Sequence, residues 1–304
     1  MSNAYLRFWG VRGSYSAPFN THLRVGGNTS CVEIRVGDAV LICDAGTGII
    51  PFGNELVKQG EIRDLLIILT HYHWDHICGL PFFVPAFLPE WNIQFFGPGK
   101  SSRDIEESVS SQMQAPYFPV STETWLANVN YITPSERHEL NYGSINITYT
   151  SVHHPGTTYG YRIRVNDKNI LYVSDNECQY LNKAIRMKYG EFNKEEREIY
   201  DAMQREEYES ELDLIKGADI LIHDAQYTKE DYVKKRGWGH SCYIDTVNTA
   251  IDAGVKELYL YHHDPNYDDE TIGKIYNHSL QIIKDRSSDL KCHIASEGVQ
   301  IDLS

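Results

Sequence analysis

Seven consecutive residues, Thr70-His71-Tyr72-His73-Trp74-Asp75-His76, place three imidazoles and a carboxylate within six positions. They follow Leu65-Leu66-Ile67-Ile68-Leu69, an apolar run suited to a buried strand. Continued as a strand, the four side chains would alternate between faces. In a tight loop leaving the strand end they converge on one point. Such convergence is costly unless something positive sits at the focus. A divalent cation meets that need, because neutral imidazole and carboxylate suit Zn, Mn or Fe. A His-rich polar surface loop is the alternative reading, but clustered His and Asp mark metal sites.

Three later apolar stretches also end in residues of ligand type. Thr148-Tyr149-Thr150-Ser151-Val152 runs into His153-His154-Pro155-Gly156. Leu171-Tyr172-Val173-Ser174 runs into Asp175, and Leu258-Tyr259-Leu260-Tyr261 into His262-His263-Asp264. Strand ends gather along one edge of an open sheet, where ligands bind. Taken singly, each His reads as a hydrogen-bonded structural residue. Four strands ending this way point to one metal centre. Tyr117, Phe118, Trp238 and Tyr227 are candidates to stack a base, with ordinary core as the alternative, and Arg12 and Arg162 are candidates to meet phosphate.

The elements that must position these groups follow an α/β rhythm. Strands are predicted over residues 5–9, 30–36, 39–43, 64–69 and 93–96, and helices over 49–59 and 101–114, the latter capped by Ser101 or Ser102. Residues 79–87 read as helical but are interrupted by Pro81 and Pro85. Strands over 128–132, 144–152, 159–165 and 169–173 pair in succession. Residues 177–216 are charged and proline-free. They read as one or two exposed helices forming an insertion, with a dimer contact or a cover over the site as its other roles. The rhythm resumes with strands at 219–222 and 257–261, helices at 244–253 (Ser241 as cap) and 268–284, and closing strands at 293–295 and 299–303. One domain over residues 1–304 with a helical insertion is the simplest organisation.

The chain has 304 residues and a formal charge of −14. That field disfavours a long nucleic acid as partner, and no run of five basic residues offsets it. The six cysteines are scattered without a CxxC pair, as in a reduced, cytoplasmic protein. No stretch is long enough to span a bilayer, and the start of the chain lacks the apolar region of a secretion signal.

His71-Tyr72-His73-Trp74-Asp75-His76 resembles the HxHxDH motif of the metallo-β-lactamase superfamily, and Asp44-Ala45-Gly46-Thr47-Gly48 resembles its Asp-x-Gly element. The resemblance implies an α/β fold, the four-layer αβ/βα sandwich, with a two-metal site at one edge. It implies that His71, His73 and His154 hold one metal, that Asp75, His76 and His262 hold the second, and that Asp175 bridges them. His154 is preferred to His153 because it precedes Pro155-Gly156, and His262 to His263 from its place just past the strand. Asp44 would orient the His loop. Leu221-Ile222-His223-Asp224-Ala225 and Gly237-Trp238-Gly239-His240-Ser241 are similar to elements of the tRNase Z-type phosphodiesterase branch, which implies His240, oriented by Asp224, as the group that stabilises the transition state or protonates the leaving oxygen. His223 would support structure.

Phe8-Trp9-Gly10-Val11-Arg12-Gly13-Ser14, Gly26-Gly27-Asn28-Thr29-Ser30-Cys31, Gly79-Leu80-Pro81-Phe82-Phe83 and Asp224-Ala225-Gln226-Tyr227 resemble a bacterial group of small metallo-hydrolases, some described as cyclic-nucleotide phosphodiesterases. The basic arm with which tRNase Z proteins grip tRNA has no counterpart. Two metals about 3.5–4 Å apart can trap a bridging hydroxide and lower the pKa of its parent water to about 7. The expectation is a phosphodiesterase using two divalent ions, zinc first and manganese or iron as alternatives, on a small diester such as a 3′,5′-cyclic nucleotide. Asp75, His240 and Asp224 are the expected catalytic residues. The rival readings are a thioester or lactone hydrolase on the same metals, and a catalytically silent ligand-binding sensor. A homodimer is compatible with either.

Overall fold

The computed structural model describes residues 4–181, 190 and 192–304. Six successive strands build one sheet: β1 (Ala4–Gly10), β2 (Cys31–Val36), β3 (Ala39–Cys43), β4 (Asp64–Ile68), β5 (Asn92–Phe96) and β6 (Asn128–Tyr131). The next seven build a second: β7 (Glu139–Tyr142), β8 (Ile145–Ser151), β9 (Tyr159–Val165), β10 (Lys168–Val173), β11 (Ile220–Asp224), β12 (Glu257–Tyr261) and β13 (Lys291–Ile294). The last strand, β14 (Gln300–Asp302), returns to the first sheet beside β1. The helices are α1 (Ile49–Gln59), α2 (Trp74–Ile77), α3 (Ser102–Ser111), α4 (Lys194–Ile215), α5 (Lys229–Lys234), α6 (Tyr243–Asp252) and α7 (Asp269–Asp285).

Each sheet switches from antiparallel to parallel pairing. β1, β2 and β3 are antiparallel, then β3 to β6 run parallel. β7 to β10 are antiparallel, then β10 to β13 run parallel. Parallel neighbours end on the same side. The residues after β3 and β4, and those after β10, β11 and β12, therefore emerge along common edges.

Strand alternation explains the layers. On β3, Leu41 and Cys43 turn inward with Leu66, Ile68, Ile147 and Ile163 to fill the space between the sheets. Val40 and Ile42 turn outward onto Phe52 and Leu56 of α1 and Ile105 of α3. Full burial of one such side chain contributes about 1.5–3 kcal/mol. The arrangement is the αβ/βα sandwich. Helix α1 ends at Gly60, whose left-handed φ of 74° lets its N–H reach Leu56 O. Helix α3 starts from a reciprocal capping box between Ser101 and Asp104.

Several expectations fail locally. Ser241 does not cap α6: Cys242 holds that position, and the Ser241 hydroxyl donates to Asn176 O at 2.6 Å and accepts from Cys178 N at 3.0 Å. Strand β7, a four-residue edge strand that packs Leu140 and Tyr142 on the core, and the six-residue α5, capped by Thr228, are too short for their periodicity to stand out in the sequence. Residues 79–87 form two 3₁₀ turns. In the charged stretch, α4 is not solvated all round: Glu207 and Glu211 are buried and accept N–H from Leu181 and Gln179. Residues 182–189 and 191 of that stretch lie outside the described residues. Among the described residues no helix is long and apolar enough to cross a membrane, and all six cysteines are free.

Candidate metal centre

The loop after β4 carries His71 and His73, and the loop after β8 carries His154. The potential ligand atoms of these three lie within 4.8 Å of one another, as do those of Asp75, His76 and His262. His73 Nδ1 lies 3.0 Å from His154 Nε2, and His76 Nε2 lies 3.2 Å from His262 Nε2. Asp175, just past β10, stands between the two groups. Its Oδ1 is 3.1 Å from His76 Nε2 and 3.4 Å from His262 Nε2, while its Oδ2 is 3.8 Å from His71 Nε2 and 3.7 Å from His154 Nε2. One carboxylate oxygen thus faces each triad. His71 Nε2 and Asp175 Oδ1 are buried and have no hydrogen-bond partner. Nitrogens aimed at nitrogens, with orphaned buried acceptors between them, fit a pair of divalent cations.

The outer nitrogens are already used. His154 Nδ1 donates to Gly239 O at 2.8 Å, His76 Nδ1 to Asp44 Oδ2 at 2.8 Å, and His262 Nδ1 to Gln226 Oε1 at 3.0 Å. His71 Nδ1 lies 3.1 Å from Thr70 Oγ1, whose proton goes to Asp44. Each of these four rings is left with Nε2 facing inward. Asp44 also accepts from Thr70 N and the Tyr172 hydroxyl, both at 2.8 Å. Asp44 and His262 both adopt left-handed backbone, with φ of 61° and 58°. Each directly follows a strand and turns the chain toward the site, a conformation that non-glycine residues hold only when their surroundings impose it.

Burial holds His71, His73 and His154 below the ordinary imidazole value, so they are neutral as cation ligands require. Burial would also lower His76, but Asp175, Asp75 and Asp44 carry it well above. Burial would raise Asp75 and Asp175, yet the surrounding histidines, His76 first for Asp75 and His262 first for Asp175, hold both well below the carboxylate range. The carboxylates of Asp75 and Asp175 are thus ionised, and His76 is drawn toward its charged form by the same carboxylates that a cation would satisfy.

His240 adjoins both triads, its ring 5.0 Å from those of His262 and His154. Its Nδ1 lies 2.7 Å from Asp224 Oδ2, and Asp224 also accepts N–H from Gln226, Ser241 and Asn176. Burial lowers His240 and raises Asp224. The first strand's end supports the second triad from behind. Ser14 N donates to Asp75 Oδ2 at 2.6 Å, and a Cβ on Gly13 would fall 2.4 Å from the His262 ring. Gly13→Ala is therefore expected to displace His262 and cut metal affinity by about 10–100-fold, measured by metal titration.

The other candidates divide. His153 points away, 3.4 Å from Glu207 and stacked on Tyr180. His263 is buried against Ala295 O, with burial pulling its pKa down to about 3. His223 is buried in β11 and bonded to Asp224 O. Arg12 and Arg162 are both held by backbone carbonyls. Arg12 is buried and donates to the carbonyls of Gly26, Asp264 and Tyr267, and Arg162 closes the end of α4 on Leu214 O and Lys216 O. Tyr227 is core, its ring edge-on to His240, and Phe118 packs on Phe82; Trp238 and Tyr117 are exposed.

Two supporting residues escaped the reading of the sequence. Glu177 accepts from the Tyr232 hydroxyl at 2.6 Å and from Gly237 N and Gly239 N at 3.0 Å. It pins the loop that offers Gly239 O to His154 and then presents His240. Gln226 orients His262. The one signal for Glu177 is its position two residues after Asp175.

The profile of the beta-lactamase superfamily domain matches residues 40–194, just over half of the chain. The chain belongs to this superfamily and is a metal-dependent hydrolase. A ribonuclease Z from Thermoplasma volcanium is 25% identical over 294 residues, covering 88% of this chain and 90% of the relative. The metallo-beta-lactamase fold protein YhfI from Bacillus subtilis superposes with a TM-score of 0.66 at 18% identity, covering 99% of this chain and 100% of its own. Human tRNase Z, short form, does so with a TM-score of 0.60 at 16% identity, covering 99% of both chains.

Proposed function

We propose that this protein is a dinuclear phosphodiesterase. The observation that carries the reading is Asp175, with one oxygen toward each triad, beside a histidine held by a buried carboxylate. His71, His73 and His154 would hold one cation, Asp75, His76 and His262 the other, with Asp175 shared and zinc the first choice of metal. When bound, such a pair acidifies water and neutralises charge on phosphoryl oxygens. Asp75 fixes the second triad against Ser14. Asp224 accepts the Nδ1–H of His240, which leaves the opposite nitrogen bare, to take up a proton released by the attacking water and pass it to the departing alkoxide. The names of the curated relatives support phosphodiester chemistry.

The finer reading is a small diester, such as a 3′,5′-cyclic nucleotide, acted on by a single domain with residues 177–216 as an insertion. The charge of −14 supports a small substrate over a long polyanion. The test is hydrolysis by Zn- and Mn-loaded protein of bis(p-nitrophenyl) phosphate, cyclic nucleotides, a 3′-extended tRNA, thioesters and lactones. Cleavage of the RNA alone would replace the small-substrate reading. His240→Ala separates the phosphodiesterase from the thioester rival, since a thiolate leaves without a proton and an alkoxide does not. On a phosphodiester with an alcohol leaving group, turnover is expected to fall by about 10²-fold or more. Unchanged turnover would remove His240 from the chemistry.

A further inference from the structure

A cavity of about 360 Å³ lies beside the metal loop, between α2 and the end of α3. It is lined by Tyr72, Trp74, Ile77, Ser108, Ser111, Gln112 and Tyr117. Trp74 stands in the chain between His73 and Asp75, one residue from each triad. Its side chain is 71% exposed and that of Tyr117 82% exposed. The walls beneath them are braced. The Tyr72 hydroxyl donates to Pro98 O at 2.7 Å, the Gln112 amide donates to Ile77 O at 3.0 Å, and Phe118 packs edge-on against Phe82 at 5.6 Å, anchoring the turn that carries Tyr117. The two exposed rings thus project from supported backbone, Trp74 on the same loop as His71, His73, Asp75 and His76.

The lining has no carboxylate, ammonium or guanidinium, although the chain carries 42 acidic residues. An uncharged ligand part suits it. The Ser108 and Ser111 hydroxyls spend their protons on helix carbonyls, Asp104 O and Ser108 O, and Gln112 spends its amide N–H on Ile77 O. What remains at the rim is a mixed set, acceptor oxygens at Ser108, Ser111 and Gln112 beside the Trp74 indole N–H and the Tyr117 hydroxyl, suited to the donor and acceptor edge of a base. We infer that this cavity is the nucleobase subsite of the substrate, holding a flat base against Trp74 and Tyr117 while the phosphate meets the metal centre. The inference rests on the phosphodiesterase reading and adds to it a base-bearing substrate.

The test is calorimetric binding of AMP and of ribose 5-phosphate to the metal-loaded protein. Both carry the phosphate, and only AMP carries the base. AMP is expected to bind about tenfold tighter or more. Trp74→Leu and Tyr117→Leu should each erode that preference, and Trp74→Phe should keep most of it. Equal affinity for the two ligands in the wild type, or a preference that survives both leucine variants, overturns the subsite. The larger reading fails separately: a protein that prefers AMP but hydrolyses no phosphodiester keeps the base pocket and loses the phosphodiesterase. Tyr117 lies far in sequence from every proposed ligand, so its variant reads the subsite even if Trp74→Leu disturbs the metal loop.

Discussion

Asp175→Asn is expected to abolish stable binding of the metal pair and to lower turnover by about 10²–10³-fold or more. The substitution keeps the side chain's size and removes its charge. Each oxygen of Asp175 now faces imidazole nitrogens of a different triad, at 3.1 and 3.4 Å on one side and 3.7 and 3.8 Å on the other. An amide would turn two N–H donors toward one triad, where a cation should sit. Breaking a buried charge arrangement by removing one member costs about 3–5 kcal/mol, the source of the factor quoted. Two measurements check it. Metal analysis should find about two ions per wild-type chain and fewer in the variant. Thermal unfolding supplies the second, because a ligand at 100 times its Kd stabilises the folded state by about 2.7 kcal/mol. Wild-type protein should therefore melt several degrees higher with metal than after chelation, and the variant should not. A variant that retains two ions and full turnover would remove Asp175 from the centre.

How much of this centre could be read in advance depended on how local each signal is. His71, His73, Asp75 and His76 are legible because they share one short loop after an unmistakable apolar strand. Asp175 is legible because β10 is apolar up to its last residue. The preference for His154 over His153 comes only from the resemblance, through Pro155-Gly156. In the fold His154 Nδ1 donates to Gly239 O, 85 residues away, while His153 turns to Glu207 on α4. Glu177 was hidden for the same reason, since its partners are backbone N–H groups some 60 residues further along. As the first residue of the charged stretch 177–216 it reads as one more solvated carboxylate. Ser241 shows a local rule overridden: a serine just before a helix should cap it, but here the hydroxyl serves the segment after Asp175 instead. Arg12 shows the converse. It is a candidate for phosphate on residue type alone, but it is buried and its Nε and Nη1 donate to three backbone carbonyls.

Asp44→Ala is expected to destabilise the whole protein by about 3–5 kcal/mol and to weaken metal binding as well. Asp44 is fully buried and accepts from Thr70 N, Thr70 Oγ1, His76 Nδ1 and the Tyr172 hydroxyl. Alanine would leave those donors without an acceptor, at about 1–3 kcal/mol for each that stays buried and unpaired. It would also have to hold φ near +61°, where a Cβ without a compensating hydrogen bond costs about 1–2 kcal/mol. Against a total stability of about 5–15 kcal/mol, that is a large share. Asp44→Asn separates the two causes. Asparagine tolerates left-handed backbone and keeps one acceptor oxygen, so denaturant unfolding should show a smaller loss than for alanine. Metal affinity should still fall by about 10–100-fold, because a side-chain amide holds the His76 ring less firmly than the carboxylate does. Asp175 and Asp44 thus differ in kind: the first should matter most with metal present, the second with or without it. If Asp44→Ala unfolds at the wild-type denaturant concentration, the loop must take its support from elsewhere. Ser174, whose hydroxyl donates to Thr70 Oγ1 at 3.2 Å, and the Tyr161 hydroxyl, which donates to Leu69 O at 2.6 Å, would be the residues to substitute next.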